Sequence, residues 1–125
     1  MSEVTILIVD DSGVMRKILK HHLNEIGYSN VIEASNGTEG LKKLSQEKIN
    51  LIICDWNMPE MNGLQFLYAT RSQKDYQDVP IIMVTTVNTK DEVVAALKAG
   101  ASSYIAKPFT RDDLKMKIDQ ALGIE

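Results

Sequence analysis

Ile6-Leu7-Ile8-Val9-Asp10-Asp11 is the stretch that decides the fold. Four apolar residues are followed at once by two carboxylates. The pattern recurs in Leu51-Ile52-Ile53-Cys54-Asp55, in Ile81-Ile82-Met83-Val84-Thr85 and in Tyr104-Ile105-Ala106-Lys107. Short apolar runs rich in β-branched residues read as strands buried on both faces of a parallel sheet. Ligands of an open α/β sheet bind outside the carboxyl ends of its strands. One sheet edge is therefore expected to gather three carboxylates, a hydroxyl and an ammonium. That set suits a divalent cation and a phosphoryl group.

Helical patterns fill the segments between these runs. Strand and helix alternate throughout, which predicts a doubly wound α/β fold with five strands and five helices. The first strand spans about Thr5 to Val9. A helix from near Gly13 to Ile26 carries an apolar stripe of Val14, Ile18, Leu19, Leu23 and Ile26, and Gly27 stops it. Val31 to Ala34 is a second, short strand. Asn36 caps a helix to about Gln46, with Leu41 and Leu44 inward. Leu51 to Cys54 is the third strand. The turn-rich loop Asn57-Met58-Pro59-Glu60-Met61-Asn62-Gly63 leads to a helix ending near Ser72, with Leu64 and Leu67 inward. Pro80 opens the fourth strand. Thr89-Lys90-Asp91-Glu92 has the form of a capping box and starts a helix ending at Gly100. The fifth strand lies near Tyr104 to Ala106. Thr110 and Asp113 cap a last helix with Leu114, Ile118, Ala121 and Leu122 on its inner face.

The 125 residues are read as one domain, 1–125, with no repeat, linker or separate output module. A net charge of -3 argues against nucleic acid as a partner. The apolar run Val4 to Val9 is too short for a signal-peptide core or a membrane span. Cys54 is the sole cysteine, so no internal disulfide forms, and a reducing cytoplasm is the expected setting. Inside an apolar strand it reads as a small core residue.

Asp10 and Asp11 opposite Asp55 crowd negative charge, which disfavours ionisation unless a cation neutralises it. Magnesium fits, because it binds through one or two carboxylates and accepts a phosphate oxygen. An aspartate can itself be the nucleophile. Asp55 is the best candidate acceptor, since its strand lies in the middle of the chain order. A metal held by Asp11 could take one phosphoryl oxygen, Lys107 a second, and Thr85 could donate to a third. Lys107 precedes Pro108, a stiff pair that can aim the ammonium. Solvated acids at strand ends, a surface lysine and a strand-end threonine are the plainer readings of these residues taken singly.

Together, Asp10-Asp11, Asp55 with Met58-Pro59 and Gly63, Thr85, and Lys107-Pro108-Phe109 resemble the response-regulator receiver domain, from Thr5 to about Leu122. The likeness is strongest to its single-domain chemotaxis members, through Asp55-Trp56-Asn57-Met58-Pro59, Gly100-Ala101-Ser102 and Lys107-Pro108-Phe109-Thr110. The resemblance implies a flavodoxin-like sheet of order 2-1-3-4-5. It implies that Asp55 takes a phosphoryl group from a CheA-like histidine kinase. Asp11, Asp55 and the Asn57 carbonyl would hold magnesium, with Asp10 acting through water. Lys107 would contact the phosphoryl group across a cis bond to Pro108, and Thr85 and Tyr104 would form the switch. Output would run through Lys90, Val93, Tyr104, Ala106 and Lys117 to a flagellar motor switch protein. The molecule would be a cytoplasmic monomer and a signalling module, catalysing only its own phosphorylation and dephosphorylation. A phosphatase is a further expected partner.

Thr86 departs from the usual alanine of these relatives, and Val87 stands where an acidic residue is familiar. Both bear on the lifetime of the phosphorylated state. A non-chemotaxis relay, a phosphate sink or a constitutive adaptor are alternative outputs. A phosphatase of the haloacid dehalogenase type would need an aspartate where Asn57 stands. A flavin carrier would not place Asp10-Asp11 at its phosphate loop. His21 and His22 read as a solvated helix face. Lys90, Lys98, Lys115 and Lys117 are expected to cluster on the last two helices, and Met58 and Met61 to pack locally.

Overall fold

A computed structural model describes residues 4–86 and 90–124. The Thr89 cap and Val87 lie outside the described residues. In chain order the elements are β1 (Thr5–Val9), α1 (Gly13–Ile26), β2 (Asn30–Ala34), α2 (Gly37–Gln46), β3 (Leu51–Asp55) and α3 (Gly63–Arg71). A short 3-10 helix (Lys74–Tyr76) precedes β4 (Ile81–Thr85), α4 (Lys90–Lys98), β5 (Ser103–Ala106) and α5 (Arg111–Leu122). The strands form one parallel sheet in the order β2-β1-β3-β4-β5. The doubly wound, flavodoxin-like order is the expected one. Asp55 and Thr85 belong to their strands as last residues rather than following them.

Alternation along each strand sorts the core into two halves. Leu7, Val9, Ile52, Cys54 and Met83 face α2, α3 and α4 and pack with Leu44, Phe66, Leu67 and Ala96. Ile6, Ile8, Ile53, Ile82 and Val84 face α1 and α5 and pack with Leu19, Leu23, Leu114 and Ile118. Cys54 is fully buried in the first half, and burial pushes its thiol well up.

Local chemistry sets the helix ends. Ser12 and Asn36 accept from backbone N–H groups of Met15 and Glu39 at 3.2 and 2.7 Å. Asn62 with Gln65, and Thr110 with Asp113, form reciprocal capping boxes. The apolar stripe of α1 differs from expectation. Val14 is 71% exposed and Ile18 41%, while Leu19 and Leu23 are buried. Met15, Leu19, Leu23 and Ile26 are the residues that reach the core. They are spaced by three or four positions, and Val14 and Ile18 sit one residue, about 100° of helix, to the side. On α3 the buried residues include Phe66 and Thr70, which the stripe of Leu64 and Leu67 did not include.

Gly63 joins the fold to the site. Its N–H donates to the Trp56 carbonyl at 2.8 Å. A Cβ there would lie 2.5 Å from the Asp55 carbonyl oxygen, 2.6 Å from Met83 Cε and 2.9 Å from Trp56 Cα. Two of those atoms are backbone and cannot step aside. Gly63→Ala is expected to destabilise the protein by about 2 kcal/mol through overpacking, lowering Tm by roughly 6 °C. Thermal denaturation by circular dichroism measures it, and an unchanged midpoint would contradict this packing.

Candidate functional site

The carboxyl ends of four neighbouring strands meet at one edge. The Asp10 N–H makes the last bond of its strand, to the Ala34 carbonyl at 3.0 Å. Asp55 ends the central strand β3. Carboxylate oxygens of Asp10, Asp11 and Asp55 all lie within 4.8 Å of one another. Asp10 and Asp55 are buried, and Asp11 is exposed. Lys107 reaches across the end of β4 and donates from Nζ to Asp55 Oδ1 at 3.0 Å. Its backbone N–H holds the Thr85 carbonyl at 2.8 Å, and its peptide bond to Pro108 is cis. Thr85 is buried at the end of β4. Asn57 is exposed on the loop after β3, which Met58 anchors in the core. Met61 packs against Gly37 at the start of α2.

Asp10 and Asp55 are expensive to keep charged. Burial raises the Asp10 carboxyl above its ordinary value, the Ser12 N–H opposes it, and the charge of Asp55 adds to the rise. Burial raises Asp55 as well, against the hydrogen bond and charge of Lys107. Asp10 Oδ1 accepts from the Ser12 N–H at 2.8 Å. Its Oδ2 is buried with no hydrogen-bond partner among the described residues. Crowded oxygen donors, one of them orphaned, are what a hard divalent cation needs.

The sign of the stability effect follows. A carboxyl whose folded pKa is raised stabilises the fold while protonated and loses that stability as pH rises through the folded value. At neutral pH, without a cation, Asp10 is therefore a liability. Asp10→Asn is expected to raise Tm by about 3 °C, what roughly 1 kcal/mol does in a domain of this size. The gain should shrink in acid, below the ordinary carboxylate range. Melting curves in chelator across pH check this, and a lower neutral-pH midpoint for the variant would contradict it.

Of the residues expected at the output face, Val93 and Lys117 lie beside Tyr104. Tyr104 is half-buried on β5, with Lys117 Nζ 5.2 Å from its ring centre. Thr85, Glu92, Val93 and Ala96 line a slot beside Tyr104 of only about 10 Å3. Lys90 is exposed, and Ala106 is half-buried at the end of β5. Lys115 does not join a cluster with Lys117. It pairs with Asp119 at 2.7 Å, because two residues along a helix turn it to the opposite side. His21 is exposed, but His22 is not simply solvated, since its ring meets that of Phe109 edge-on at 6.1 Å.

Arg16 was not singled out by its sequence context. Its Nη1 donates to the Asp10 carbonyl at 2.6 Å and its Nε to Glu33 Oε1 at 3.1 Å. Only the fold brings Glu33, on β2, beside this turn. A shallow cavity of about 320 Å3 adjoins Lys107, lined by Met15, Ile18, Thr86, Pro108 and Phe109.

An acidic trio beside a lysine thus gathers at the strand ends of this topology. The response regulator receiver domain family matches residues 6–119, and the chain belongs to that family of signalling modules. Among its relatives is the chemotaxis protein CheY homolog of Campylobacter jejuni, 50% identical over 94% of this chain and 92% of the relative. Chemotaxis protein CheY1 of Helicobacter pylori is 48% identical over 94% of this chain and 96% of its own. The chain is thus the receiver domain of a CheY-like response regulator. Among solved structures, Vibrio cholerae chemotaxis protein CheY4 superposes with a TM-score of 0.90 at 34% identity, over 95% of this chain and 98% of that one. The receiver domain of a Pseudomonas aeruginosa sensor histidine kinase, with a magnesium ion coordinated in its active site cleft, gives 0.87 at 27% identity, over 96% and 98%.

Proposed function

We propose that residues 1–125 act as a single-domain response regulator, phosphorylated on Asp55 and relaying chemotaxis signals to a flagellar motor switch protein. The observation that carries this is the buried Asp55 carboxylate with Lys107 at 3.0 Å and two further carboxylates gathered around it. The likeness to chemotaxis CheY homologs supports the output. Asp10, Asp11, Asp55 and the Asn57 carbonyl would hold magnesium. When bound, the ion neutralises charge on the carboxylates and on the incoming phosphoryl group.

An Asp55 carboxylate oxygen forms a new O–P bond as the P–N bond of a phosphohistidine breaks. The electron pair returns to the imidazole nitrogen of the kinase. Lys107 steadies the equatorial oxygens, and Thr85 donates its hydroxyl to one of them. Water attack on the acyl phosphate releases inorganic phosphate and restores the Asp55 carboxylate, and the extra bulk of Thr86 would crowd either Tyr104 or the phosphoryl entry path. The module thus catalyses only its own phosphorylation and dephosphorylation.

The switch follows from space. The slot of about 10 Å3 beside Tyr104 cannot admit the ring. Drawing Thr85 toward the phosphoryl group would vacate room there, and Tyr104 would turn in, changing the face formed by Lys90, Val93, Ala106 and Lys117. The expected partners are a CheA-like histidine kinase, the motor switch and a phosphatase, met in the cytoplasm by a monomer. No helix among the described residues is long and apolar enough to cross a membrane. The test is binding of phosphorylated and unphosphorylated protein to motor switch peptides. Phosphorylation should tighten binding at least about tenfold, a typical allosteric coupling. Equal affinities would remove the motor output from this reading.

A further inference from the structure

Arg16 poses a question of charge. Its guanidinium lies 2.6 Å from the Asp10 carbonyl oxygen, on the turn that carries two of the carboxylates, and a positive charge there opposes cation binding. Past the Asp10 N–H no further sheet bond to this strand is found among the described residues. The Asp10 carbonyl instead accepts from Arg16 Nη1 at 2.6 Å. That carbonyl belongs to the peptide joining Asp10 to Asp11, a rigid plane that includes both Cα atoms. Holding its oxygen therefore sets the direction in which both side chains leave the backbone.

The anchor of the arginine is a residue of the sheet. Nε bonds Glu33 Oε1 at 3.1 Å, and Glu33 is held in the sheet opposite Ile8. At the other end, the Arg16 N–H bonds the Ser12 carbonyl at 3.0 Å, and the Ser12 N–H bonds Asp10 Oδ1. Lys20 approaches the same glutamate only at 3.8 Å, on its other oxygen. We infer that Arg16 is a positioning residue: it ties the Asp10–Asp11 peptide to Glu33 and thereby aims two carboxylates of the cluster. This rests on the proposed function, through the magnesium those carboxylates would hold.

Charge and position predict opposite signs, which makes the test sharp. Magnesium is titrated into the full chain at fixed ionic strength, followed by Trp56 fluorescence. Arg16→Met and Arg16→Lys should each bind about tenfold more weakly, the usual range for groups that orient metal ligands. The lysine variant keeps the charge but cannot bond Asp10 and Glu33 together. Lys20→Met loosens the same glutamate without touching Asp10 and should stay within about twofold, as an exposed ion pair does. If Arg16→Met does not fold, Arg16→Lys carries the comparison. Equal or tighter binding by the Arg16 variants overturns the inference and leaves the function standing. So does equal weakening by Lys20→Met. A wild-type chain with no saturable magnesium response removes both.

Discussion

Asp55→Asn is expected to abolish phosphoryl uptake from acetyl phosphate in the presence of magnesium while leaving the fold intact. The carboxamide is almost the same shape, but its oxygen carries no charge and is no nucleophile at neutral pH. Folding is not expected to depend on that charge. Burial already raises the Asp55 carboxyl, so the ionised form strains the site rather than holding it. Removing it should leave Tm unchanged or slightly higher. Intact-mass measurement is the readout. Wild type should gain one acid-stable, base-labile phosphoryl group, and the variant none above the uncatalysed background. Equal rate and stoichiometry in the two proteins would place the acceptor elsewhere.

Lys107→Met is expected to slow the same uptake about 100-fold or more, the scale on which one positioned donor to a developing oxyanion acts. The ammonium lies 3.0 Å from Asp55 Oδ1 and is one fixed positive charge on the reacting groups. Its removal has a second consequence with a definite sign. The hydrogen bond and charge of Lys107 lower the Asp55 carboxyl against burial. Without them the carboxyl rises further, so the pH at which uptake falls off should move upward in the variant. Phosphorylation rates across pH, at saturating magnesium, show both effects. A variant with wild-type rate and an unmoved acid limb would deny Lys107 its role.

The strand ends were legible because chemistry and periodicity coincide there. An apolar run that stops at Asp10, Asp55, Thr85 or Lys107 declares both a buried strand and a polar tip. Sheet order follows from the family likeness, and the convergence of the tips follows from the order. The outer layer was less legible. Val14 and Ile18 match a helical stripe as well as Met15 and Leu19 do, and only packing leaves the first pair exposed while Leu19 is buried and Met15 partly so. His22 meets Phe109 across two elements, which no local pattern announces. Arg16 and Glu33 lie 17 positions apart and become partners only when β2 is laid beside β1. Lys115 and Lys117 look alike in sequence and face opposite sides.

The direct measurement is a magnesium titration of Trp56 fluorescence in wild type and Asp11→Ala. Trp56 follows Asp55 in the chain, so it reports the ion where the carboxylates meet. A single saturable transition in wild type, weakened at least about tenfold in the variant, is the predicted outcome. Superimposable curves would contradict it, because an ion indifferent to Asp11 is not held by the three acids together.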